Sequence, residues 1–467
     1  MSRTKLTALT IGAIACATAA AILIVGLRPA PLHPDAVGST PLRTPLWSAR
    51  RVPAVLARSV QSAAEARAAE SLTKSLAPIV APYAACVAVD GPAGPIARVN
   101  SDTPLTPAST LKLLTATAAI DRLGPGHHFT TRVYEEDGNL VLIGAGDPLL
   151  GTPEYIAFRH AQPRYRDAPY TPLGNLADAI VAAGVHEVTG ALLVSDALHD
   201  TLRYLPDWKP NYGVDGDIGS LGALSVDGGF SQSNGQVPAP DPALVTGQRL
   251  ATLLAARGVT IAGGVRRGAI TAPDAREVAH VDSPALSDIV GELLSSSDDY
   301  TAEELVRDLA SDPQGTTRAT TAAGAQIVEQ EMKRLGVTTA GLVMHDGSGL
   351  ARGDRASCTT LLELIEITSQ PRYAAVDNGL AIAARTGTLA TRFVGDPLAG
   401  RLHAKTGSLD GVVGLVGHVD GPSRLHFAFL ANGNFGTATG ERLQAEIATA
   451  VAATPTVRVP ADLVPAP

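Results

Sequence analysis

Residues 106–124 read TPASTLKLLTATAAIDRLG. Pro107 suits a first helical turn, Leu111, Leu114, Ala118 and Leu123 recur at helical spacing, and Gly124 suits a stop, so the pattern predicts a buried helix. Ser109 and Lys112 stand three apart and share one face at its start. A serine hydroxyl becomes a good nucleophile when a neighbouring base removes its proton, and a lysine held neutral one turn away can do so. The helix N-terminus adds backbone N–H groups and positive potential where an oxyanion would form.

S-x-x-K by itself is weak evidence, since it arises by chance about once or twice in a chain this long. Ser71-Leu72-Thr73-Lys74 is a second copy, in an Ala-rich, charge-dotted segment that reads as a solvated helix face. For Ser109 alone, a helix cap beside a surface lysine is the competing reading.

On the N-terminal side, Ala54 to Leu76 reads as a helix. Ala85 to Val89 and Ile96 to Val99 form two short apolar runs around Asp90-Gly91-Pro92 and Gly94, the pattern of a β-hairpin. A hairpin leading into a buried helix suggests an α/β or α+β domain whose sheet packs on that helix. Downstream, Thr130 to Tyr134 and Asn139 to Ile143 form another hairpin, ending in Gly144-Ala145-Gly146-Asp147-Pro148. Its glycines permit close backbone approach but do not make a nucleotide loop. Leu173 to Ala183 and Pro242 to Arg257 read as helices, with strands at Ala191 to Val194 and near Val259 and Val278. Residues 130–282 therefore look like an insertion.

Ser283 to Leu294 and Tyr300 to Leu309 read as helices separated by Ser295-Ser296-Ser297-Asp298-Asp299. Met344 to Leu350 is a tight turn, Thr359 to Thr368 a helix, and Gly440 to Val451 a last helix. Leu402 to Lys405, Val412 to Val419 and Leu425 to Leu430 suggest sequential antiparallel strands. Lys405-Thr406-Gly407-Ser408 ends the first of them: a cation and a hydroxyl at a strand edge suit capture of a carboxylate, and glycine leaves room for a ligand backbone to lie alongside. Arg385-Thr386-Gly387-Thr388 repeats the pattern without the lysine.

The chain's 467 residues suffice for two or three domains; 45% hydrophobic and 18% charged residues describe a globular protein, not a disordered one. A net charge of -8 without a basic run beyond the N-terminus argues against nucleic acid as a partner. Eleven histidines stand outside any H-x-x-x-H or C-x-x-C pattern, and the chemistry above needs no metal or other cofactor. Arg3 and Lys5 precede an uncharged run from Leu6 to Leu27, which fits both a cleaved signal and a signal-anchor; either implies export to the cell envelope. Cys86 and Cys358 are then the exported cysteines, and an oxidising compartment permits a disulfide that spacing alone does not establish.

S-T-L-K, then S-D-D, then K-T-G-S, in that order, are the motifs of active-site-serine penicillin-binding proteins and β-lactamases. With PASTLKLLTA, LIGAGDP, ALSVDGG, ARGVTIAGGVRRG, SSDDYTAEEL, HDGSGLAR and RTGTLATRF leading to RLHAKTGSLDGVVGLVG, the chain from about Leu76 to Ala450 resembles the D-alanyl-D-alanine carboxypeptidase/endopeptidases, the class C low-molecular-mass penicillin-binding proteins. From Ser109 to Ser297 is 188 residues, against 108 from Ser297 to Lys405, and the long first interval is where this family carries extra domains. The resemblance implies a penicillin-binding-protein/β-lactamase-like transpeptidase domain: an antiparallel sheet flanked by helices, with inserted α/β domains between the first and second motifs. The corresponding division is 1–28 signal peptide or anchor, 29–53 Pro-rich linker, 54–129 and 283–455 a discontinuous serine D,D-peptidase domain, 130–282 the insertion, and 456–467 a tail.

By that resemblance Ser109 attacks the carbonyl of a terminal D-Ala-D-Ala or a peptidoglycan cross-link, forming an acyl-enzyme that water hydrolyses and β-lactams trap. Lys112 is implied as general base, made neutral by a nearby Lys405 cation, and Ser297 as proton relay. Lys405 and Thr406 would hold the substrate carboxylate, and the N–H groups of Ser109 and Ser408, next to Gly407, would form the oxyanion hole. Asp147 matches the family position that meets an amino group of the stem peptide. Asp299 departs from the family, which has asparagine there: a carboxylate only accepts, and its charge favours protonated Lys112. A slow enzyme, or one whose Asp299 must be protonated, is therefore expected. Two other readings share these residues: a catalytically impaired peptidoglycan-binding protein, and a β-lactamase or esterase.

Overall fold

The central sheet draws its strands from both ends of the chain. A computed structural model describes residues 53–272, 275–312 and 317–455. Residues 6–27, nearly all of the expected linker and the tail 456–467 lie outside the described residues. Among the described residues no helix is long and apolar enough to cross a membrane.

The sheet's six strands run in the order Ala381–Ile382, Leu402–Leu409, Val412–Val419, Leu425–Asn432, Ala84–Gly91, Gly94–Val99. Every pairing is antiparallel. Side chains alternate across such a sheet, and here both faces are apolar. Cys86, Ala88, Val416, Ala428 and Leu430 join a core with the helices Lys112–Leu123 and Cys358–Thr368. Val87, Val89, Leu415, Phe427 and Phe429 face the opposite way, toward Pro53–Val80 and Thr437–Ala452. A sheet buried on both sides explains why these strands read as continuous apolar runs. The expected fold class is borne out: mixed helices and sheets, with the antiparallel sheet flanked by helices. Cys86 and Cys358 are buried and joined as a disulfide, tying the sheet to a covering helix.

Residues 130–282 carry a second sheet, ordered Val265–Arg267, Leu192–Ser195, Asn139–Ile143, Thr130–Glu136, Arg276–Asp282. Its first three strands are parallel and its last two pairings antiparallel. Leu140, Leu142, Leu176, Ile180, Leu250 and Leu254 form its own core with the helices Leu173–Ala182 and Pro242–Ala255. Thr130 pairs with Asp282, so the chain enters and leaves this region side by side.

Two features depart from the sequence reading. Ser295 to Ser297 does not break the helix: Leu293–Ser297 continues Leu286–Glu292 as a π-helical turn, and the Asp298 side chain then caps Asp299–Asp308 by accepting the Thr301 N–H at 2.9 Å. Thr321–Arg334 is a helix that the sequence pattern had not singled out, capped by Thr320 and burying Val328 and Met332.

Candidate active site

Ser109 stands in a 3-10 turn, Ala108–Leu111, that leads directly into the helix Lys112–Leu123. Two glycines let other elements close on that turn. A side chain at Gly407 would meet the Pro107 carbonyl at 2.8 Å, and one at Gly349, where φ is +83°, would overlap the Ala108 carbonyl. Gly407 is therefore a packing requirement of strand against turn, not only room for a ligand.

Lys112 is fully buried. Its Nζ donates to Ser109 Oγ at 2.9 Å and to the Ser348 carbonyl at 2.7 Å, and pairs with Asp299 Oδ1 at 2.6 Å. Three acceptors use all three N–H bonds of an ammonium. Burial raises the Asp299 carboxyl above its ordinary range, against the pull of Lys112.

Lys405 is equally buried, but among the described residues its Nζ meets only Ser297 Oγ at 2.6 Å and the Thr406 carbonyl at 2.9 Å. Burial, followed by the charge of Lys112, pushes it well below the usual lysine range. The sequence reading had Lys405 as the cation that depresses Lys112. The Asp299 carboxylate lies against Lys112 at 2.6 Å, and among the described residues no carboxylate contacts Lys405.

Ser297 closes the π turn with φ +62°, a conformation L-residues seldom adopt, and so reaches Lys405. Thr406 and Ser408 lie on Leu402–Leu409, which pairs with Ala381–Ile382 only through Ala404 and His403. Among the described residues the strand from Lys405 onward has no partner strand on that side, an open edge suited to an extended peptide.

Several supporting groups carried no motif signal. Glu303 Oε1 accepts the Gly347 and Ser348 N–H groups at 3.0 and 2.7 Å, which aims the Ser348 carbonyl at Lys112. Asp346 accepts the Gly349 and Ala351 N–H groups and Trp208 Nε1, each within 2.8 Å. Burial and the neighbouring Asp346 charge lift Glu303 well above the carboxylate range and Asp354 to about 10. From the 130–282 region, Arg159 pairs with Asp298 at 2.7 Å beside a small cavity of about 90 Å³ that Ser297 and Asp299 also line. The one available clue was acidic residues placed among apolar ones, as in SSDDYTAEEL.

Asp147 is not brought into contact with Ser109, Lys112 or Lys405. It is buried and accepts the Leu149 N–H at 2.9 Å, and burial raises it to about 6. Gly146 beside it, with φ +80°, leaves no room for a side chain against Asp308.

Residues 84–239 and 236–454 match the D-Ala-D-Ala carboxypeptidase 3 (S13) family. The chain is 29% identical over 420 residues to a D-alanyl-D-alanine carboxypeptidase of Actinomadura sp. (strain R39), covering 72% of this chain and 74% of that protein. It is 32% identical over 355 residues to a carboxypeptidase of Mycobacterium tuberculosis, covering 71% and 72%. The solved penicillin binding protein 4 of Haemophilus influenzae, also known in complex with a β-lactam, superposes with a TM-score of 0.67 at 19% identity over 81% of this chain and 98% of that one. That likeness shows the fold, and the sequence matches show the lineage: the chain belongs to the S13 family of D-Ala-D-Ala carboxypeptidases, which are serine peptidases.

Proposed function

We propose that Ser109 is the acylating nucleophile of a D,D-peptidase that hydrolyses D-Ala-D-Ala ends or peptidoglycan cross-links and is trapped by β-lactams. The observation that carries this is the 2.9 Å bond between Ser109 Oγ and a lysine with no exposed surface, one turn away. Ser109 Oγ attacks the carbonyl, the leaving amine departs with a proton relayed by Ser297, and water releases the acyl group. Ser109 and Ser408 N–H groups stabilise the oxyanion. Asp147 is the weakest member of the set, since one oxygen already serves Leu149. An exported, envelope location follows from such a substrate.

Proton supply is the distinctive step. Lys112 Nζ lies 2.6 Å from the Asp299 carboxylate and needs a free lone pair to act as base. An arriving substrate carboxylate beside Lys405 favours a charged Lys405, and two buried ammonium groups repel each other. The Lys112 proton then passes along the 2.6 Å bond to Asp299, whose carboxyl burial already disposes to accept it. Asp299 thus makes acylation slower than an amide would, without abolishing it.

A fluorescent penicillin tests the assignment. Covalent label should appear on the protein and be absent from Ser109→Ala. Equal label on both, or none on folded parent protein, overturns it; the latter would favour a peptidoglycan-binding role with a disabled site.

A further inference from the structure

Arg385-Thr386-Gly387-Thr388 resembles a chance echo of residues 405–408 in sequence, yet it forms a wall of the same site. It follows the edge strand Ala381–Ile382, and Gly387, with φ +57°, lies so close to Ser295 that any side chain there would overlap its carbonyl. The segment is thereby pressed onto the π turn that ends in Ser297. Two of its residues have structural duties: Gly387 allows this approach, and Thr386 Oγ1 accepts the Ile382 N–H at 3.0 Å. Thr388 has neither. Its hydroxyl has one hydrogen-bond partner among the described residues, Thr406 Oγ1 at 2.9 Å.

Thr406 is partly exposed, follows Lys405, and lies where the strand edge is open. A hydroxyl carries one donor and two acceptor sites. In the structure Thr406 donates to Thr388; when a ligand oxygen arrives, both hydroxyl protons can turn so that Thr388 donates and the Thr406 proton meets the ligand, while the bond holds the Thr406 hydroxyl in one rotamer. The exposed guanidinium of Arg385, which has no carboxylate partner among the described residues, adds positive potential nearby. It lines a cleft of about 570 Å³ with Arg164, Ser295 and Gly387.

We propose that Thr388 is a positioning residue that presents the Thr406 hydroxyl to the terminal carboxylate of the substrate, and so selects peptides ending in a free carboxylate. The proposal rests on the acyl-transfer reading above. No bond is made or broken at Thr388; its contribution is to substrate binding.

The test compares Thr388→Val, which keeps the shape and removes the hydroxyl, with Thr388→Ser, which keeps the hydroxyl. Each is assayed with an acylated tripeptide ending in D-Ala-D-Ala and with its C-terminal amide. The amide is read as a competitor of penicillin labelling, so that slow turnover does not hide binding. Thr388→Val should raise KM for the acid roughly tenfold, the scale of one lost bond to a charged group, while kcat changes less than about threefold. The amide should compete equally with parent and variant, and Thr388→Ser should restore KM to within about threefold of the parent. An unchanged KM, an equal loss with the amide, or a serine variant as impaired as valine overturns the proposal. Parent protein that takes no Ser109-dependent label would instead overturn the acyl-transfer reading, so the two failures are distinguishable.

Discussion

Lys112 and Lys405 are both without exposed surface, and each touches one serine hydroxyl and one carbonyl. They differ by a single carboxylate, since Asp299 lies against Lys112 and among the described residues none contacts Lys405. Lys112 has a carboxylate against it at 2.6 Å; without one, burial and the neighbouring Lys112 charge push Lys405 well below the usual lysine range. Burial alone therefore does not identify a catalytic base. The position of the counter-charge matters as well, and in this chain it lies beside the first-motif lysine.

The comparison is most severely tested by removing each lysine. Lys112→Met should lower penicillin acylation by about 10³-fold, because proton removal from Ser109 is lost. Lys405→Met should act mainly on KM, because what disappears is a partner for the substrate carboxylate. Equal losses in kcat from both would show that the two amines are not distinct in function. Next in size, Asp299→Asn should raise acylation near neutral pH by about tenfold, since it removes the charge that holds Lys112 protonated. Lower acylation from a folded Asn variant would instead make Asp299 a productive proton acceptor that an amide does not replace.

A smaller signal is the proton that substrate brings with it. If Lys405 gains charge on binding, the Ser109→Ala variant should take up about one proton per anionic peptide bound near neutral pH. Titration calorimetry in two buffers of different ionisation enthalpy measures this, and identical heats would mean that Lys405 is already charged in the free enzyme.

The least direct test uses the other end of the Asp299–Asp308 helix, where the comparison is inverted. His199 is buried with Nε2 at 2.8 Å from Asp308 and Nδ1 at 3.1 Å from Glu304. Burial opposes its charge, yet those two partners raise it to about 9. A base raised on folding gives stability that is complete below about pH 6.5 and is lost as pH rises through about 9. Asp308, raised by burial to about 7, changes stability in the same direction as pH increases. The thermal midpoint should therefore fall between pH 6.5 and 9, and His199→Gln should flatten the fall. An equally steep fall in that variant would place the sensitivity elsewhere.

Much of this was legible in sequence because it depends on periodicity and punctuation. The Ser109 helix announced itself by apolar spacing and a terminal glycine, and the late strands by apolar runs between turns. What escaped depends on neighbours remote in the chain. Nothing around Ser295 to Ser297 signals a π turn, because the turn is stabilised by tertiary contacts and not by propensity. Glu303 carries no motif signal, and its role emerges only where the Gly347 and Ser348 N–H groups are found against it. Residues 385–388 read as a copy of the Lys405 pattern within a family motif, but a pattern does not say which strand edge a loop will cover. That Asp299 bears on Lys112 was legible from its charge, but the Ser348 carbonyl that also meets Lys112 was not, since it comes from a turn remote in the chain.

The order of strands in the main sheet also has a consequence in time. Ala84–Gly91 pairs on one side with Leu425–Asn432, so a strand made early waits for one made more than three hundred residues later. A chain emerging from its N-terminus can complete the 130–282 sheet from contiguous sequence, but it cannot bring Ser109, Ser297 and Lys405 together until nearly its last helix is out. The three motif residues thus come together only late in synthesis, and chains truncated before Asn432 should lack peptidase activity even where the 130–282 sheet has formed.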